Sequence, residues 1–426
     1  MIRLSYFAAQ EIPAALITFV SLLLFMQTGT SSALSTVYSA LLSLPWLLKG
    51  RVARIHVANP HRALLACEVL SVVVLLVMAG ALSPSCLLSS VLRVGDGAGL
   101  VLFALLFLLS LSTACHEVLA DEHYHGLLQP RARGLYDAPR LFVSQTLVVV
   151  TYGVLIIFVG TMQVLTRSIL VSWADAFVLL TGIMLFFVLW HLPSSISDVK
   201  VRKSASLDHR FSGSVLLLLF LFLLPQGLMF YTRVFFLLAP AEEGGLSRSL
   251  QDVGFAHGVV GAFAFSIGLW VSRFFVRKRM SKTSVSRRKV RYSQYALPSQ
   301  SLFSLVNGRV LLRFLPLLLS PVVYYYMSSC PPKMLWQIAI CTFLAQFMFG
   351  YGMHRLLSFL GLPASIGLRV PVVAAVLFIP LAISGWLVSI MDFQTYFLVD
   401  SLTALLPLVY VAIVRVRQGG AQRSQK

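Results

Sequence analysis

Long apolar runs alternate with short polar segments from one end of the chain to the other. A helix needs about 20 apolar residues to cross the roughly 30 Å of hydrocarbon in a bilayer. By that criterion the pattern predicts twelve membrane-spanning helices, of which the second and sixth are short. They are Tyr6–Gln27, Leu34–Leu48, Ala63–Leu82, Gly99–Ala120, Leu141–Met162, Ala174–Trp190, Gly213–Leu238, Phe255–Phe275, Val310–Met327, Leu335–Tyr351, Val370–Val388 and Tyr396–Val414.

The order of these spans predicts two halves. Six spans precede the polar segment "HLPSSISDVKVRKSASLDHRFSGS" and six follow it. We therefore expect an all-α membrane protein with two six-helix bundles, the architecture of the major facilitator superfamily, in which the substrate sits between the halves. The predicted divisions are residues 1–192, a central cytoplasmic loop at 193–212, residues 213–416 and a tail at 417–426.

Composition agrees with this interpretation. Hydrophobic residues make up 58% of the chain and charged residues only 12%, which is too little charge for the surface of a soluble protein of 426 residues. No loop is long enough to hold a soluble catalytic domain. An enzyme would therefore have to work inside the bilayer, and no paired nucleophile and base is visible there. We predict that the protein is not an enzyme.

The net charge of +19 raises the question of a nucleic-acid partner. Most Lys and Arg residues, including the run "RFFVRKRMSKTSVSRRKVRY", lie in alternate loops. This is the positive-inside bias, which predicts both termini in the cytoplasm, and the basic run fits a topology signal lying against anionic lipid better than an RNA or DNA site. The loops of the opposite side hold only Arg93, Arg167, Arg248 and Lys333.

Neither metal nor cofactor is expected. The stretch "HEVLAD" begins like the zinc-protease pattern HExxH, but Ala120 stands where the second histidine would be needed. The five cysteines show no zinc spacing. Cys86 and Cys330 fall in loops on the non-cytoplasmic side, where they either form a disulfide or remain two free thiols.

Acidic residues close the fourth predicted span, in "LSTACHEVLADEHYHGLL". Glu117 and Asp121 are four residues apart and share one helix face, with His116 beside them. Two carboxylates that repel each other raise the proton affinity of one, and a proton-coupled carrier needs such a group. The alternative is that Asp121 is solvated at the membrane interface.

Further polar residues interrupt the apolar spans. Charge in hydrocarbon costs several kcal/mol, so such groups should face a cavity or a partner. Arginine binds carboxylates and phosphates bidentately, so Arg233 and Arg313 predict an anionic small-molecule cargo, unless they reach the headgroups or pair with Asp400. The candidates for substrate binding are Arg233, Arg313, Gln226 and Glu11, and Glu68 is also within a span.

Three blocks of sequence resemble one known family. The stretches are "YFAAQEIPAALITFVSLLLF" with "TVYSALLSLPWLLK", then "STACHEVLADEHYHGLL", and then "LPQGLMFYTRVFFLLAPAEEGGLSRSLQDVGFAHGVVG". In that order they are similar to AmpG-type muropeptide permeases of the major facilitator superfamily. The matching residues are Leu44, Pro45, Trp46 and Lys49 in the first block, His116, Glu117 and Asp121 in the second, and Arg233 in the third.

The resemblance implies proton-driven import of anhydro-muropeptides, released by cell-wall turnover, across a bacterial inner membrane. We expect the carrier to work as a monomer in the lipid bilayer. Related facilitators carry siderophores or acyl-coenzyme A, so another anionic solute is the main alternative. A non-transporting membrane sensor would share every helix.

The chain departs from the family pattern at two places. Gln226 stands where close relatives have a glutamate, and the loop "KGRVARIHVANPHR" lacks the acid that commonly follows the second-helix lysine. Basic residues of this loop therefore need acids from elsewhere. We expect Lys49, Arg51 or Arg54 to pair with Asp121, Glu122 or Asp137.

Overall fold

The computed structural model describes residues 4–53, 57, 59–86, 98–127, 130–195, 213–282, 313–360 and 369–423. Within these ranges every regular element is a helix. The all-α fold class predicted from the apolar pattern is therefore confirmed.

The chain forms two compact units. The first comprises Met1–His209 together with Arg248–Val259, and the second comprises Arg210–Ser247 together with Val260–Lys426. The main division lies within the central loop predicted at 193–212, most of which is outside the described residues. The assignment of Arg248–Val259 to the first unit was not anticipated from the sequence.

Six long helical elements build the first unit, and two short helices, Leu44–Leu47 and Lys49–Val52, connect the second element to the third. Helix α1 contains a π-helical turn at Leu16–Val20, and α5 contains another at Val149–Val154. The elements are α1 (Ser5–Gln27), α2 (Ser32–Leu41), α3 (Pro60–Leu82), α4 (Ala98–Leu127), α5 (Pro130–Val148, continued by Leu155–Thr166) and α6 (Ile169–Ser195).

The second unit contains the remaining helices, except that the first turns of α8, up to Val259, belong to the first unit. Helix α7 packs against α11 and α12, whereas α9 packs against α10, which also contacts α8. The elements are α7 (Gly213–Leu238), α8 (Leu250–Val253, a π-helical Gly254–Gly261 and Ala262–Lys282), α9 (Leu315–Ser329), α10 (Leu335–Phe359), α11 (Pro371–Ile390) and α12 (Phe393–Thr403, continued by Leu406–Arg423).

Ten helices in the described part of the chain are long and apolar enough to cross a membrane, judged by length and composition. The other two predicted spans correspond to α2 and α9. The predicted single helix Leu34–Leu48 is interrupted, because α2 ends at Leu41 and a new helix begins at Leu44, with Pro45 in its first turn. Helix α9 is described only from Leu315 onward.

Helix α1 is the most enclosed of the ten candidate spans in the described residues. Within its apolar window 83% of residues are buried, whereas the other candidate spans are between 28% and 61% buried. Large apolar side chains on those other helices, such as Val164, Trp190 and Trp336, are exposed, as expected for surfaces that face lipid. Polar residues of α1 therefore lie inside the protein.

A close backbone approach joins α5 to the first turns of α8 within the first unit. A Cβ atom on Gly258 would lie 2.5 Å from the Cα atom of Gly153 and 2.9 Å from the Tyr152 carbonyl oxygen. Only glycine can occupy such a contact without displacing the neighbouring backbone. The adjacent His257 Nδ1 and Tyr152 hydroxyl are 3.0 Å apart, in hydrogen-bond contact, and both side chains are buried.

Candidate functional site

Glu117 lies at the centre of a buried ion pair in the first unit. Its Oε2 atom is 2.7 Å from Lys49 Nζ, and the side chains of the acid and the lysine are 0% and 13% exposed. The indole Nε1 of Trp46 donates a hydrogen bond of 3.0 Å to the same oxygen. The short helices after α2 thus carry both the cation and the indole to a deep acid of α4.

Asp121, one turn further along α4, has a different cation. Its carboxylate pairs with Arg140 of α5 at 2.5 Å, and the guanidinium of Arg140 also lies 3.9 Å from the ring centroid of Phe7. Asp121 is 27% exposed and Arg140 is 9% exposed. Glu117 and Asp121 do share one end of α4, but each carboxylate has its own counter-charge. Mutual repulsion between the two acids is correspondingly weakened.

Lys49, in the basic loop after α2, pairs with a different acid from those expected. Lys49 does contact an acidic residue of α4, but that residue is Glu117, a turn deeper than the nearest predicted partner, Asp121. The reason is that the chain stays helical at Lys49–Val52 and directs the lysine inward. Arg54 and the side chain of Asp137 lie outside the described residues.

A second buried cluster surrounds Glu68 of α3. His191 Nδ1 lies 2.8 and 2.9 Å from the two carboxylate oxygens, and His116 Nε2 lies 3.1 Å from Oε1. His191 Nε2 in turn contacts the hydroxyl of Ser5 at 2.8 Å. Glu68 and His191 are each 1% exposed, and His116 is 3% exposed. Helices α1, α3, α4 and α6 all contribute to this cluster, which we call the Glu68 cluster.

Tyr6 connects the Glu68 cluster to two further histidines. Its ring stacks on His191 with centroids 4.1 Å apart, and its hydroxyl lies 3.2 Å from His61 Nδ1. The rings of His61 and His123 meet edge to face at 4.5 Å. Both of these histidines are buried. A row of titratable side chains therefore extends from Glu68 toward the end of the unit where α3 begins.

The direction of the helices is a signal in the sequence for this cluster. Tyr6 and His61 begin α1 and α3, whereas His123 and His191 end α4 and α6. Consecutive spans alternate in direction, so these four positions fall on the same side of the membrane. His116 and Glu68 were identified as intramembrane polar residues, but their contact was not predicted.

Two polar residues of α1 lie close together along the chain. Glu11 is 4% exposed and Gln10 is 2% exposed. Neither polar atom of the Gln10 side chain has a hydrogen-bond partner among the residues that the structure describes. Both residues belong to α1, the most enclosed of the candidate spans, so their side chains face the interior of the protein.

In the second unit, Gln226 of α7 is engaged through its nitrogen. Nε2 donates hydrogen bonds of 2.7 Å to the Leu317 carbonyl oxygen and to the Ser320 hydroxyl, both on α9. The side-chain oxygen Oε1 is buried and accepts no hydrogen bond within the described part of the chain. Gln226 thus links two helices while retaining one free acceptor.

Arg233 and Arg313 differ in environment. Arg233 is 3% exposed, and its guanidinium lies 4.7 Å from the ring centroid of Phe230. The guanidinium is also close enough to the Tyr324 hydroxyl for an electrostatic interaction. Arg313 is exposed in the turn before α9 and is not enclosed by the protein. Only Arg233 of the two is a buried cation.

Asp400 of α12 is a buried acid that does not pair with either arginine. Its side chain is 1% exposed, and neither carboxyl oxygen has a hydrogen-bond partner among the described residues. Tyr396, one turn earlier, donates its hydroxyl to the Leu228 carbonyl oxygen at 2.8 Å. The sequence-based alternative that Asp400 pairs with Arg233 or Arg313 is therefore wrong for this conformation.

The potential metal ligands and the cysteines form no further site in the described ranges. No group of three or more His, Cys, Asp or Glu among those residues is arranged to hold a metal ion. Cys86 and Cys330 are both free thiols. Of the two alternatives that the sequence left open, the structure has the reduced one.

Comparisons with known proteins identify the fold. No protein-family profile matches the chain, and no curated protein matches it by sequence. Among solved structures it is similar to a point mutant of the nucleoside transporter NupG, with a TM-score of 0.58, 11% identity, and coverage of 96% of this chain and 98% of that one. It is also similar to an inward-facing, unoccupied bacterial homologue of the human lysosomal transporter Spinster, with a TM-score of 0.50, 12% identity, and coverage of 95% and 96%.

These likenesses extend over nearly the whole chain. Together with the helices described above, they show an all-α membrane protein with the major facilitator fold, of which ten helices in the described residues are candidate membrane spans. At 11% and 12% identity the comparisons show the fold and nothing finer.

Proposed function

We propose that this protein is a secondary transporter that moves a small anionic solute across a bacterial inner membrane and is driven by protons. The fold supports transport, because major facilitator proteins bind solute between halves that rock about a site at mid-membrane. The buried charges support it too. Ionisable residues inside membrane spans are costly and mark solute or proton pathways.

The observation that supports an anionic cargo is the burial of Arg233. Its guanidinium is 3% exposed inside a membrane-spanning helix, and buried ionisable residues of such helices mark solute or ion pathways. Its planar fork suits a carboxylate or a phosphate. The unbonded Oε1 of Gln226, seven residues earlier on α7, is an acceptor for a solute hydroxyl or amide hydrogen.

The cargo that we propose first is the anhydro-muropeptide. It follows from the resemblance of three sequence blocks to AmpG-type permeases, and it fits the chemistry, since a muropeptide carries carboxylates, amides and sugar hydroxyls. Glu11 of α1 is a buried acceptor that can bind hydroxyls or a cationic amine of such a solute. Siderophores and acyl-coenzyme A are the anionic alternatives.

The acids of α4 have a proposed role in gating. The Lys49–Glu117 pair is buried, so breaking it needs a compensating partner, whereas the Asp121–Arg140 pair is partly exposed and opens at lower cost. His116 contacts Glu68 and belongs to the proton-handling part of the unit. Glu117 and Asp121 thus act through their basic partners.

A counterflow assay tests the identity of the cargo. Purified protein in liposomes preloaded with unlabelled GlcNAc-anhydro-muropeptide should take up the labelled compound by counterflow. A siderophore, acyl-coenzyme A and an uncharged nucleoside serve as comparison solutes. No counterflow with any of them contradicts transport and favours the sensor alternative.

Arg233→Lys tests the binding residue. Losing one charge-assisted hydrogen bond of about 1.5 kcal/mol should raise the half-saturation concentration for counterflow about tenfold. Arg167→Lys is the matched control, because Arg167 is exposed in the turn between α5 and α6. Unchanged half-saturation in Arg233→Lys would exclude a direct contact with the solute.

A further inference from the structure

The Glu68 cluster has the composition of a proton-binding site, and one of its members is suited to both protonation states. His191 uses both ring nitrogens, with Nδ1 on the Glu68 carboxylate and Nε2 on the Ser5 hydroxyl. Neutral imidazole has one donor and one acceptor nitrogen, and imidazolium has two donors. The partners of each nitrogen decide which states are satisfied.

Both states of His191 are satisfied by these partners. When the ring is neutral, Nδ1–H donates to Glu68 and the Ser5 hydroxyl donates to Nε2. When the ring is protonated, Nε2–H donates and the Ser5 oxygen accepts, because a hydroxyl can turn to do either. Neither change requires a heavy atom to move. This is the property expected of a group that takes up and releases a proton.

His116 does not share this property. Its Nε2 contacts Glu68, but its Nδ1 is buried with no hydrogen-bond partner in the described residues. A proton added at Nδ1 would be a buried donor without an acceptor, which is unfavourable. His116 is therefore suited to remain neutral and to donate from Nε2 to Glu68 permanently.

The charge of the cluster supports this assignment. With His191 protonated, Glu68 and His191 form a neutral pair. After release of the proton, Glu68 remains an anion that still accepts hydrogen bonds from His116 and His191. The other titratable groups around the pair are Cys67, which interacts electrostatically with Glu68 on the same helix, Cys115 on α4, which lies near Cys67, and Tyr6 on α1, whose ring stacks on His191. Glu117, the acid that pairs with Lys49, is the residue next to His116.

We propose that His191 is the residue that binds and releases the coupling proton, with Glu68 as its counter-charge and Ser5 as the reversible hydrogen-bond partner. The proposal rests on the proposed transport function and specifies where its proton is held. It places the proton on α6 rather than on the acids Glu117 and Asp121 of α4.

Proton binding is measured first without any solute. Purified full-length protein with ¹⁵N-labelled histidine is titrated by NMR, and the His191 signals are identified by their loss in His191→Gln. We expect the His191 ring signals to move with pH, and the pH interval of that movement to be displaced in Glu68→Gln. Glu243→Gln, an exposed acid in the second unit, should leave it unchanged. His191 signals that do not move while the protein stays folded would overturn the proposal.

Transport variants supply the second arm. Glu68→Gln and His191→Gln should both bring proton-driven accumulation close to simple equilibration while counterflow persists, which also shows that the variants fold. Ser5→Ala, the milder change, should lower the accumulation ratio severalfold with counterflow intact. Wild-type accumulation in His191→Gln would overturn the proposal. Absence of all flux in the unmodified protein would instead contradict the transport function and leave the NMR result to decide proton binding.

Discussion

Replacing Lys49 should lower the free energy of unfolding more than replacing its partner Glu117. Lys49→Met removes the cation from the Glu117 carboxylate, which is 0% exposed, and leaves the Trp46 indole as a neutral hydrogen-bond donor to it. Removing one partner of a buried ion pair typically costs about 3–5 kcal/mol. We expect a loss of that size in the free energy of unfolding.

Glu117→Gln should cost less, about 1.5–3 kcal/mol, the range expected for a hydrogen bond to a charged group. The amide oxygen can still accept the Trp46 hydrogen bond. Lys49 is 13% exposed, and its flexible stem can move the ammonium group toward water. The double variant should lose less than the sum of the two single losses, with a coupling energy of about 1–3 kcal/mol.

The assay is equilibrium unfolding in mixed micelles, followed by tryptophan fluorescence and helicity. Asp121→Asn is the matched control in the same helix, because its pair with Arg140 is partly exposed and should contribute only about 0–1 kcal/mol. Additive losses within about 0.5 kcal/mol, or equal losses for Lys49→Met and Asp121→Asn, would refute the assignment of a buried pair.

Two further predictions concern packing and helix capping. Gly258→Ala would place a Cβ atom 2.5 Å from the Cα atom of Gly153 and should destabilise the first unit by about 1–3 kcal/mol, whereas Gly182→Ala meets no atom within 4 Å and should be tolerated, as thermal unfolding can measure. The backbone N–H of Thr395 donates to the Asp392 carboxylate at 2.9 Å and lowers the pKa of that acid. The cap therefore stabilises the protein at pH values above the ordinary aspartate pKa of about 3.9, and this stability is lost as the pH falls through the lowered pKa. Asp392→Asn should remove this pH dependence, and an identical acid profile in the variant would contradict it.

Hydropathy was sufficient to predict the fold because a bilayer imposes a length on each span. The same reasoning failed at α2, where total apolarity over Leu34–Leu48 concealed a break near Pro45. Apolarity decides whether a segment resides in lipid, but hydrogen bonding and proline decide whether it stays one helix. The inward direction of Lys49 depends on that break, so it could not be read from composition.

The sequence predicted individual residues of the candidate site but not the contacts between them. Glu117 and Arg233 were identified because each is a charge in an apolar run, and both are buried. Their partners were not identified, because contacts such as that between Glu68 and His191 join residues 123 positions apart. Single-sequence patterns carry no such distances, although the alternation of helix direction would have placed the histidines on one side.

The most direct test of the proposed function is accumulation of labelled GlcNAc-anhydro-muropeptide in liposomes that contain only the purified protein. An imposed proton gradient should drive the internal concentration above the external one, and a protonophore should collapse it to equality. Equal concentrations with the gradient intact, in vesicles that still show counterflow, would contradict proton coupling. Absence of both accumulation and counterflow would contradict transport of this solute.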